Sequence, residues 1–176
     1  MRSLGPVCGR LLDMVLVIDS VNDVRVEDLL ARPSKSGEGT ARGPYITGSA
    51  DNPLGSLRNG DKLHLVGPMD GDRLGGHTVT QLIDHLTALG LDRSTHLKQI
   101  HLIADNAGAG AEKSFAAELD AALQASGFHV DEIKAPIGRV RADAVGKIWV
   151  ETSQGWLPSK PELNYYTGPA VQLKHR

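Results

Sequence analysis

Apolar and polar positions along the chain alternate in short runs that predict strands, and these runs are separated by helical patterns. Residues 62–66 (KLHLV) and 99–104 (QIHLIA) alternate in the way that is typical of strands. Residues 14–18 (MVLVI) form an uninterrupted aliphatic run, which predicts a strand buried on both faces of a parallel sheet. Residues 130–134 predict a further strand.

Two segments between these strands have the period of amphipathic helices. Thr78 and Gln81 have the spacing of a capping box, and one apolar face extends over residues 78–89. Residues 114–126 present a second apolar face, and Gly127 follows as the predicted end of the helix. The succession of strand, helix, strand, helix and strand favours right-handed crossovers, so the sequence predicts an α/β fold with a mostly parallel sheet.

The segment before residue 61 is less regular. Residues 23–31 have apolar positions at mixed spacing before Pro33, which predicts a short helix. Residues 34–60 are rich in Gly, Ser, Pro and Asn, so we expect a long loop with at most a short strand at residues 45–47.

The segment after residue 137 changes character. Residues 138–142 and 147–150 predict a C-terminal antiparallel β-hairpin that is attached to the parallel sheet. Residues 156–176 contain three prolines and show no clear period, so no element is predicted there.

The composition is that of an ordinary globular protein. The 176 residues are 40% hydrophobic and 23% charged, and we expect a single domain over residues 1–176. The formal net charge of −2 excludes a basic field over the whole molecule, so we expect neither a nucleic acid nor a membrane as partner.

Cysteine usage and hydropathy add two expectations. The single cysteine, Cys8, excludes an internal disulfide and a cysteine zinc cluster, and it lies outside the candidate site, as an incidental thiol would. No apolar run approaches the roughly 20 residues of a membrane-spanning helix, and no signal-peptide cleavage site is evident. We therefore expect a cytoplasmic location or secretion by a route that uses no signal peptide.

Chemically capable residues concentrate in two loops that follow predicted strands. The loop at residues 67–77 (GPMDGDRLGGH) follows the strand at 62–66, and the loop at residues 105–113 (DNAGAGAEK) follows the strand at 99–104. In open α/β sheets, ligands bind beyond the carboxyl ends of the strands, and glycine permits close approach of the backbone. The two loops are therefore predicted to form a cleft.

Short blocks of the sequence resemble the self-processing cysteine protease domain of large bacterial toxins. The resemblance covers about residues 44–150, and its blocks are YITGS at 45–49, NPL at 52–54, DKLHLVG at 61–67, LGG at 74–76, IHLIA at 100–104, SFA at 114–116 and residues 138–150. It implies a caspase-like and gingipain-like fold, with a mostly parallel sheet flanked by helices. The family places a catalytic histidine after a glycine at the end of one strand, and a nucleophilic cysteine at the end of the next parallel strand.

Both catalytic positions of that family carry other residues in this chain. The histidine position falls on Pro68, and the cysteine position falls on Asp105, which precedes Asn106. Thiolate attack needs a sulfur nucleophile and a nearby base, and proline and a carboxylate cannot supply that pair. The sequence therefore predicts a pseudoprotease of the toxin or effector type that acts by binding a partner protein or a small ligand.

Other interpretations of the cleft remain open at this point. An active hydrolase could use a rebuilt cleft around Asp105, Asn106 and His77, because carboxylates and imidazoles are capable acids and bases. Asp70 and Asp72 could join His77 and Asp105 as ligands of a divalent metal, although acids beside a glycine are also typical of solvated turns. A structural or regulatory α/β domain with an accidental likeness to the toxin proteases is a further alternative.

Basic and histidine residues on the predicted strands complete the candidate set. Arg139 and Arg141 alternate and therefore share one strand face, and Lys147 returns on the opposite strand. The resemblance implies inositol hexakisphosphate as an activating ligand at these three residues, and a plain solvated hairpin is the alternative. His64 and His101 alternate with apolar neighbours, so we expect exposed positions without a functional role.

Overall fold

The computed structural model of the protein describes residues 11–17, 40–46, 53–143, 147–160 and 164–168. Within these residues, six strands form the main sheet, in the order β2 (Thr40–Ile46), β1 (Leu11–Val17), β3 (Lys62–Val66), β6 (His96–Ile103), β7 (His129–Pro136) and β11 (Tyr165–Gly168). The first five strands are parallel, and β11 is antiparallel to β7 at one edge. The predicted mostly parallel sheet is confirmed.

In the described segments, two helices and smaller elements connect and flank this sheet. Helix α1 (Val79–Ala88) joins β3 to β6, and helix α2 (Phe115–Ala125) joins β6 to β7. A short antiparallel pair, β4 (Met69–Asp70) and β5 (Arg73–Leu74), precedes α1. A three-stranded antiparallel sheet follows β7 and contains β8 (Val140–Ala142), β9 (Ile148–Thr152) and β10 (Gly155–Pro158). Short 3-10 helices lie at Pro53–Ser56 and Ala111–Lys113.

Both predicted helices begin at capping residues, which are Thr78 for α1 and Ser114 for α2. The Thr78 hydroxyl accepts a hydrogen bond from the Gln81 backbone N–H at 3.3 Å, and the Gln81 side chain accepts one from the Thr78 N–H at 3.0 Å. Ser114 caps α2 through the Ala117 N–H at 3.1 Å. These bonds satisfy backbone donors that have no partner within the first turn of a helix.

The main apolar core lies between the two helices and the sheet. Helix α1 contributes Val79, Leu82, Ile83 and Leu86, and α2 contributes Phe115, Ala116, Leu119 and Leu123. The sheet contributes the apolar positions of its central strands, which are Leu63, Leu65, Ile100, Leu102 and Ile133. Burial of these faces stabilises the β3–α1–β6–α2–β7 succession, as the sequence pattern predicts.

The predicted attachment of the C-terminal hairpin to the parallel sheet is wrong. Strands β8 and β9 do pair in antiparallel fashion, with Val140 opposite Val150, but they join β10 in a separate sheet. The antiparallel strand of the main sheet is β11, which lies in the tail where no element was predicted. Its four residues are too few to show a period, so its pairing with β7 decides its structure.

The predicted long loop before residue 61 is also wrong in part. Strand β2 is longer than the three residues expected, and it pairs with β1 despite a glycine and a proline in its sequence TARGPYI. Strand β1 begins three residues earlier than the predicted strand at 14–18. The predicted helix at residues 23–31 lies outside the described residues. No helix in the described segments has the length and apolar character needed to cross a membrane.

Candidate functional site

The two loops predicted to form the cleft leave neighbouring strands at the same edge of the sheet. Strands β3 and β6 pair in parallel register, with Val66 opposite Ile103. Pro68 and Asp105 each follow these paired residues by two positions. Pro68 and Asp105 therefore lie beyond adjacent strand ends, where open α/β sheets bind ligands.

The loop that carries Pro68 folds back on itself. The Pro68 carbonyl accepts a hydrogen bond from the Gly75 N–H at 2.7 Å, across the β4–β5 pair. The exposed Pro68 ring has no group that can take up or release a proton. Pro68 therefore cannot act as a general base.

His77 connects this loop to helix α1. Its Nδ1 lies 3.0 Å from the Gly75 carbonyl oxygen, and its backbone exchanges hydrogen bonds with Leu74. Its ring stacks on His85 of α1, with 4.8 Å between ring centroids and 20° between ring planes. Burial, and then the charge of His77, lower the pKa of His85 below its ordinary value. These contacts account for His77 as a residue that holds the loop against the helix.

Asp105 fastens the loop after β6 to the three-stranded sheet. Its Oδ1 accepts a hydrogen bond from the Val140 backbone N–H at 2.8 Å. The next residue, Asn106, donates its N–H to the Gly138 carbonyl at 2.9 Å, and Gly108 donates to the Pro136 carbonyl at 2.8 Å. Asn106 is exposed and has a φ of 58°, a left-handed conformation that asparagine adopts more readily than most residues. The Asp105 side chain thus forms a hydrogen bond that connects the loop after β6 to β8.

The acids of the first loop do not gather into a metal site. Asp70 and Asp72 are exposed residues of the β4–β5 pair and its turn. Among the described residues, no three His, Cys, Asp or Glu side chains lie close enough together to hold a metal ion. In the described structure Asp70, Asp72, His77 and Asp105 do not come together as such a group. Cys8 lies outside the described residues.

The three predicted cations lie on the exposed face of the three-stranded sheet. Arg141 pairs with Trp149 in the β8–β9 register, and Trp156 pairs with Glu151 in the β9–β10 register. Glu151 also donates its backbone N–H to the Arg139 carbonyl. Because alternate residues of a strand share a face, these side chains lie together. We call this surface the cation–tryptophan face, and it consists of Arg139, Arg141, Lys147, Trp149, Glu151 and Trp156.

Cations and indole rings are in contact across the cation–tryptophan face. The Arg141 guanidinium carbon lies 4.5 Å from the centroid of the Trp156 ring, and that of Arg139 lies 5.8 Å from the same ring. The Lys147 ammonium lies 5.0 Å from the centroid of the Trp149 ring. The sequence predicted the cations on one face and missed the tryptophans, although Trp149 follows Lys147 by two residues.

Arg139 is bound to a carboxylate on this face. Its Nε and one terminal nitrogen donate to the two oxygens of Glu151 at 2.7 and 2.8 Å. The bonds to Glu151 raise the pKa of Arg139 and lower the pKa of Glu151, so both groups remain charged. Glu151 was not predicted to belong to this face, because its contact with Arg139 depends on the register of β8 and β9.

The opposite face of the three-stranded sheet packs beside the candidate cleft. Val140 and Ile148 form a small apolar cluster with Val66 and Ile103, the last residues of β3 and β6. The same strand β8 receives the hydrogen bond from Asp105. The side of the three-stranded sheet opposite the cation–tryptophan face therefore packs against the carboxyl ends of β3 and β6.

The prediction that His64 and His101 are exposed is wrong. They are 7% and 5% exposed, and they lie opposite each other in the β3–β6 register. Their Nδ1 atoms are 3.1 Å apart, and the Nε2 of His101 lies 3.0 Å from the Tyr165 hydroxyl. Central parallel strands are buried on both faces, and in this sheet one face buries a hydrogen-bonded polar row.

A shallow pocket of about 310 Å³ lies near the amino end of β6. Asn59, Gly60, His96, Lys98 and Asp131 line it, and His96 is hydrogen bonded to Asp131. Asp131 comes from the neighbouring strand β7, 35 residues further along the chain. The carboxyl ends of β3 and β6, where the cleft lies, are at the opposite edge of the parallel sheet.

The described geometry places Pro68 and Asp105 beyond the carboxyl ends of two adjacent parallel strands, β3 and β6. No family model and no curated protein matches the chain. The chain's function is therefore inferred from the residues of the loops after β3 and β6 and from the sequence blocks that resemble the toxin protease domain.

Proposed function

We propose that the chain is a caspase-like cysteine protease domain without peptidase activity, which acts by binding a partner protein or a small ligand. The proposal is supported by the placement of Pro68 and Asp105 beyond the ends of two adjacent parallel strands, β3 and β6. In the resembled family these two positions carry the base and the nucleophile. The sequence blocks at residues 61–67 and 100–104 lie on or directly beside β3 and β6, and these strands are adjacent and parallel, as the resemblance implies for the two catalytic strands.

The observation that carries this proposal is the hydrogen bond between Asp105 and Val140. The Asp105 side chain directs one oxygen to the Val140 backbone N–H at 2.8 Å. A backbone N–H bond fixes the position of the carboxylate. In the proposed function, the nucleophile position has become a structural connection between two sheets.

The remaining chemistry of the cleft is consistent with a binding role. Nucleophilic catalysis needs a base within hydrogen-bond reach of the nucleophile, and Pro68 supplies none. His77, the histidine of the same loop, contacts Gly75 and His85. No contact described for His77 favours the alternative of a hydrolase rebuilt around Asp105, Asn106 and His77.

A peptidase assay on the full chain tests the loss of activity. We expect no cleavage of the chain itself and no turnover of leucine-containing fluorogenic peptides, with or without inositol hexakisphosphate. Cys8→Ser should behave as the wild type does, because Cys8 is the chain's single thiol and is proposed to have no catalytic role. Turnover in the wild type that disappears in Cys8→Ser would contradict the proposal.

Restoring the missing pair tests the caspase-like origin of the cleft. In a Pro68→His/Asp105→Cys variant, the new imidazole should promote ionisation of the new thiol if the two positions face each other. We expect this variant to react faster with a leucine-containing peptide electrophile than the matched Asp105→Cys variant does. Both variants should carry Cys8→Ser so that only the new thiol can react. Equal rates would show that positions 68 and 105 do not form a protease cleft.

A further inference from the structure

The cation–tryptophan face is the surface to which the resemblance assigns a highly phosphorylated ligand, and its described residues do not fit one. Arg139 is already bound to both oxygens of Glu151. A compact polyphosphate would have to displace that carboxylate or lie beside it, and like charges repel. The polyphosphate ligand implied by the resemblance therefore does not account for the residues of this face.

A second carboxylate further reduces the positive charge of the region. Asp143 accepts a hydrogen bond from the Trp149 indole N–H at 3.0 Å, and its other oxygen accepts the Lys147 backbone N–H at 2.9 Å. The face and its border therefore carry three cations and two carboxylates. Such a balance suits a ligand with a few separated negative charges rather than one with many adjacent phosphates.

Two cations of the face stay available for a ligand. Arg141 and Lys147 are exposed, and within the described part of the chain neither forms an ion pair. Each contacts an indole ring, so its position is defined without a carboxylate partner. Both could therefore pair with an acidic group from another molecule.

The aromatic content of the face resembles that of protein interfaces. The chain contains two tryptophans, and both lie here, half-buried beneath the cations. Tryptophan and arginine are enriched at the centres of protein–protein interfaces, whereas a solvated sheet face carries mostly small polar and charged residues. Indole surface can contact the apolar side chains of a peptide between its charged positions.

We propose that the cation–tryptophan face binds a short acidic peptide segment of a partner protein. Arg141 and Lys147 pair with its carboxylates, and Trp149 and Trp156 contact its apolar side chains. The proposal rests on the proposed binding function of the domain and specifies its partner. Because β8 also receives the hydrogen bond from Asp105, the peptide would bind on the outer side of the unit that lines the cleft.

Fluorescence of the two tryptophans provides a direct test with the full chain. The probe is an eight-residue peptide of alternating Glu and Leu with blocked ends, and the comparison peptide has Lys in place of each Glu. We expect a saturable change in emission with the Glu–Leu peptide that weakens as salt is added, and no saturable change with the Lys–Leu peptide. No saturable change with the Glu–Leu peptide up to millimolar concentration overturns the proposal.

Charge variants locate the binding surface. Arg141→Gln/Lys147→Gln should bind the Glu–Leu peptide about tenfold more weakly, since two exposed contacts are lost. Lys98→Gln/Lys113→Gln removes the same charge from exposed positions elsewhere and should bind as the wild type does. Glu151→Gln should bind about threefold more tightly, because it releases Arg139 for the ligand. Equal affinity of the two double variants would overturn the assignment to this face.

Other anions distinguish the class of partner. Inorganic tripolyphosphate and a ten-residue thymidine strand are titrated under the same conditions, and weaker binding than that of the Glu–Leu peptide supports the proposal. If tripolyphosphate or the thymidine strand binds more tightly than the Glu–Leu peptide, and this binding depends on Arg141 and Lys147, the acidic-peptide proposal is overturned. The partner is then a polyphosphate or a single-stranded nucleic acid. Peptidase turnover would contradict the proposed function alone, whereas absent peptide binding without turnover would contradict this inference alone.

Discussion

Substitution of Asp105 by alanine separates a structural role of this residue from a catalytic one. Its Oδ1 accepts the Val140 backbone N–H at 2.8 Å, and this bond joins the loop after β6 to the edge strand of the three-stranded sheet. Val140 is 5% exposed and packs in the small cluster with Val66 and Ile103. Asp105→Ala therefore removes the acceptor of a backbone donor in a largely buried segment.

The magnitude follows from the cost of an unpaired buried donor. Leaving a buried N–H without a partner costs about 1–3 kcal/mol, and the partial exposure of Asp105 argues for the middle of that range, about 2 kcal/mol. For a chain of this length, about 2 kcal/mol corresponds to a fall in Tm of roughly 4–8 °C. Asp105→Asn keeps an acceptor oxygen at the same place, so it should lose less than half as much.

Urea titrations followed by two signals provide the assay. Tryptophan fluorescence reports on the three-stranded sheet, because Trp149 and Trp156 both lie in it, and far-UV circular dichroism reports on α1 and α2. We expect Asp105→Ala to shift both transitions to lower urea, and coincidence of the two signals would show that the loss of about 2 kcal/mol applies to the whole fold. Asp72→Ala removes an exposed carboxylate from the other loop and serves as the matched control.

Two results would refute this reasoning. Asp105→Ala with the stability of the wild type would show that the bond to Val140 contributes nothing. A hydrolytic activity of the wild type that Asp105→Asn abolishes without loss of stability would show that Asp105 acts as a catalytic carboxylate. The second result would favour the rebuilt hydrolase over the proposed pseudoprotease.

Three further predictions concern the elements that position the cleft. Thr78→Ala should lose about 1 kcal/mol in urea denaturation because it removes the cap of α1, whereas Thr80→Ala, at an exposed position of the same turn, should change little. Burial and His77 lower the pKa of His85, so its stabilising contribution is complete above the unfolded pKa of about 6.5 and is lost as the pH falls below it. Denaturation at about pH 7.5 and 5.5 should show a smaller loss for His85→Gln than for the wild type, and an equal loss would contradict the shift. Gly108→Ala should lower the free energy of unfolding by about 1–3 kcal/mol, because the added Cβ would lie 2.7 Å from the Cβ of Tyr166 and against the Ala135 carbonyl. A calorimetric Tm equal to that of the wild type would show that β11 moves without cost.

The sequence alone determined the central β–α–β succession. Helix caps and apolar helix faces depend on residues only a few positions apart. The local sequence around Thr78 and Ser114 was therefore sufficient to predict α1 and α2. The alternation at residues 62–66 matches β3, and the loops after β3 and β6 were placed at one edge because carboxyl ends of parallel strands meet there. The identities of Pro68 and Asp105, which follow these two strands, are likewise a property of the sequence.

Only the tertiary structure decided what depends on register and on distant pairing. Alternation made His64 and His101 look exposed, but a strand in the middle of a parallel sheet is buried on both faces, so its polar positions are buried too. Strands β2 and β11 have weak local patterns, and hydrogen bonds to β1 and β7 form them. The partners of Asp105 and Arg139 lie 35 and 12 residues away, so no local pattern could show that one holds β8 and that the other is already bound to Glu151.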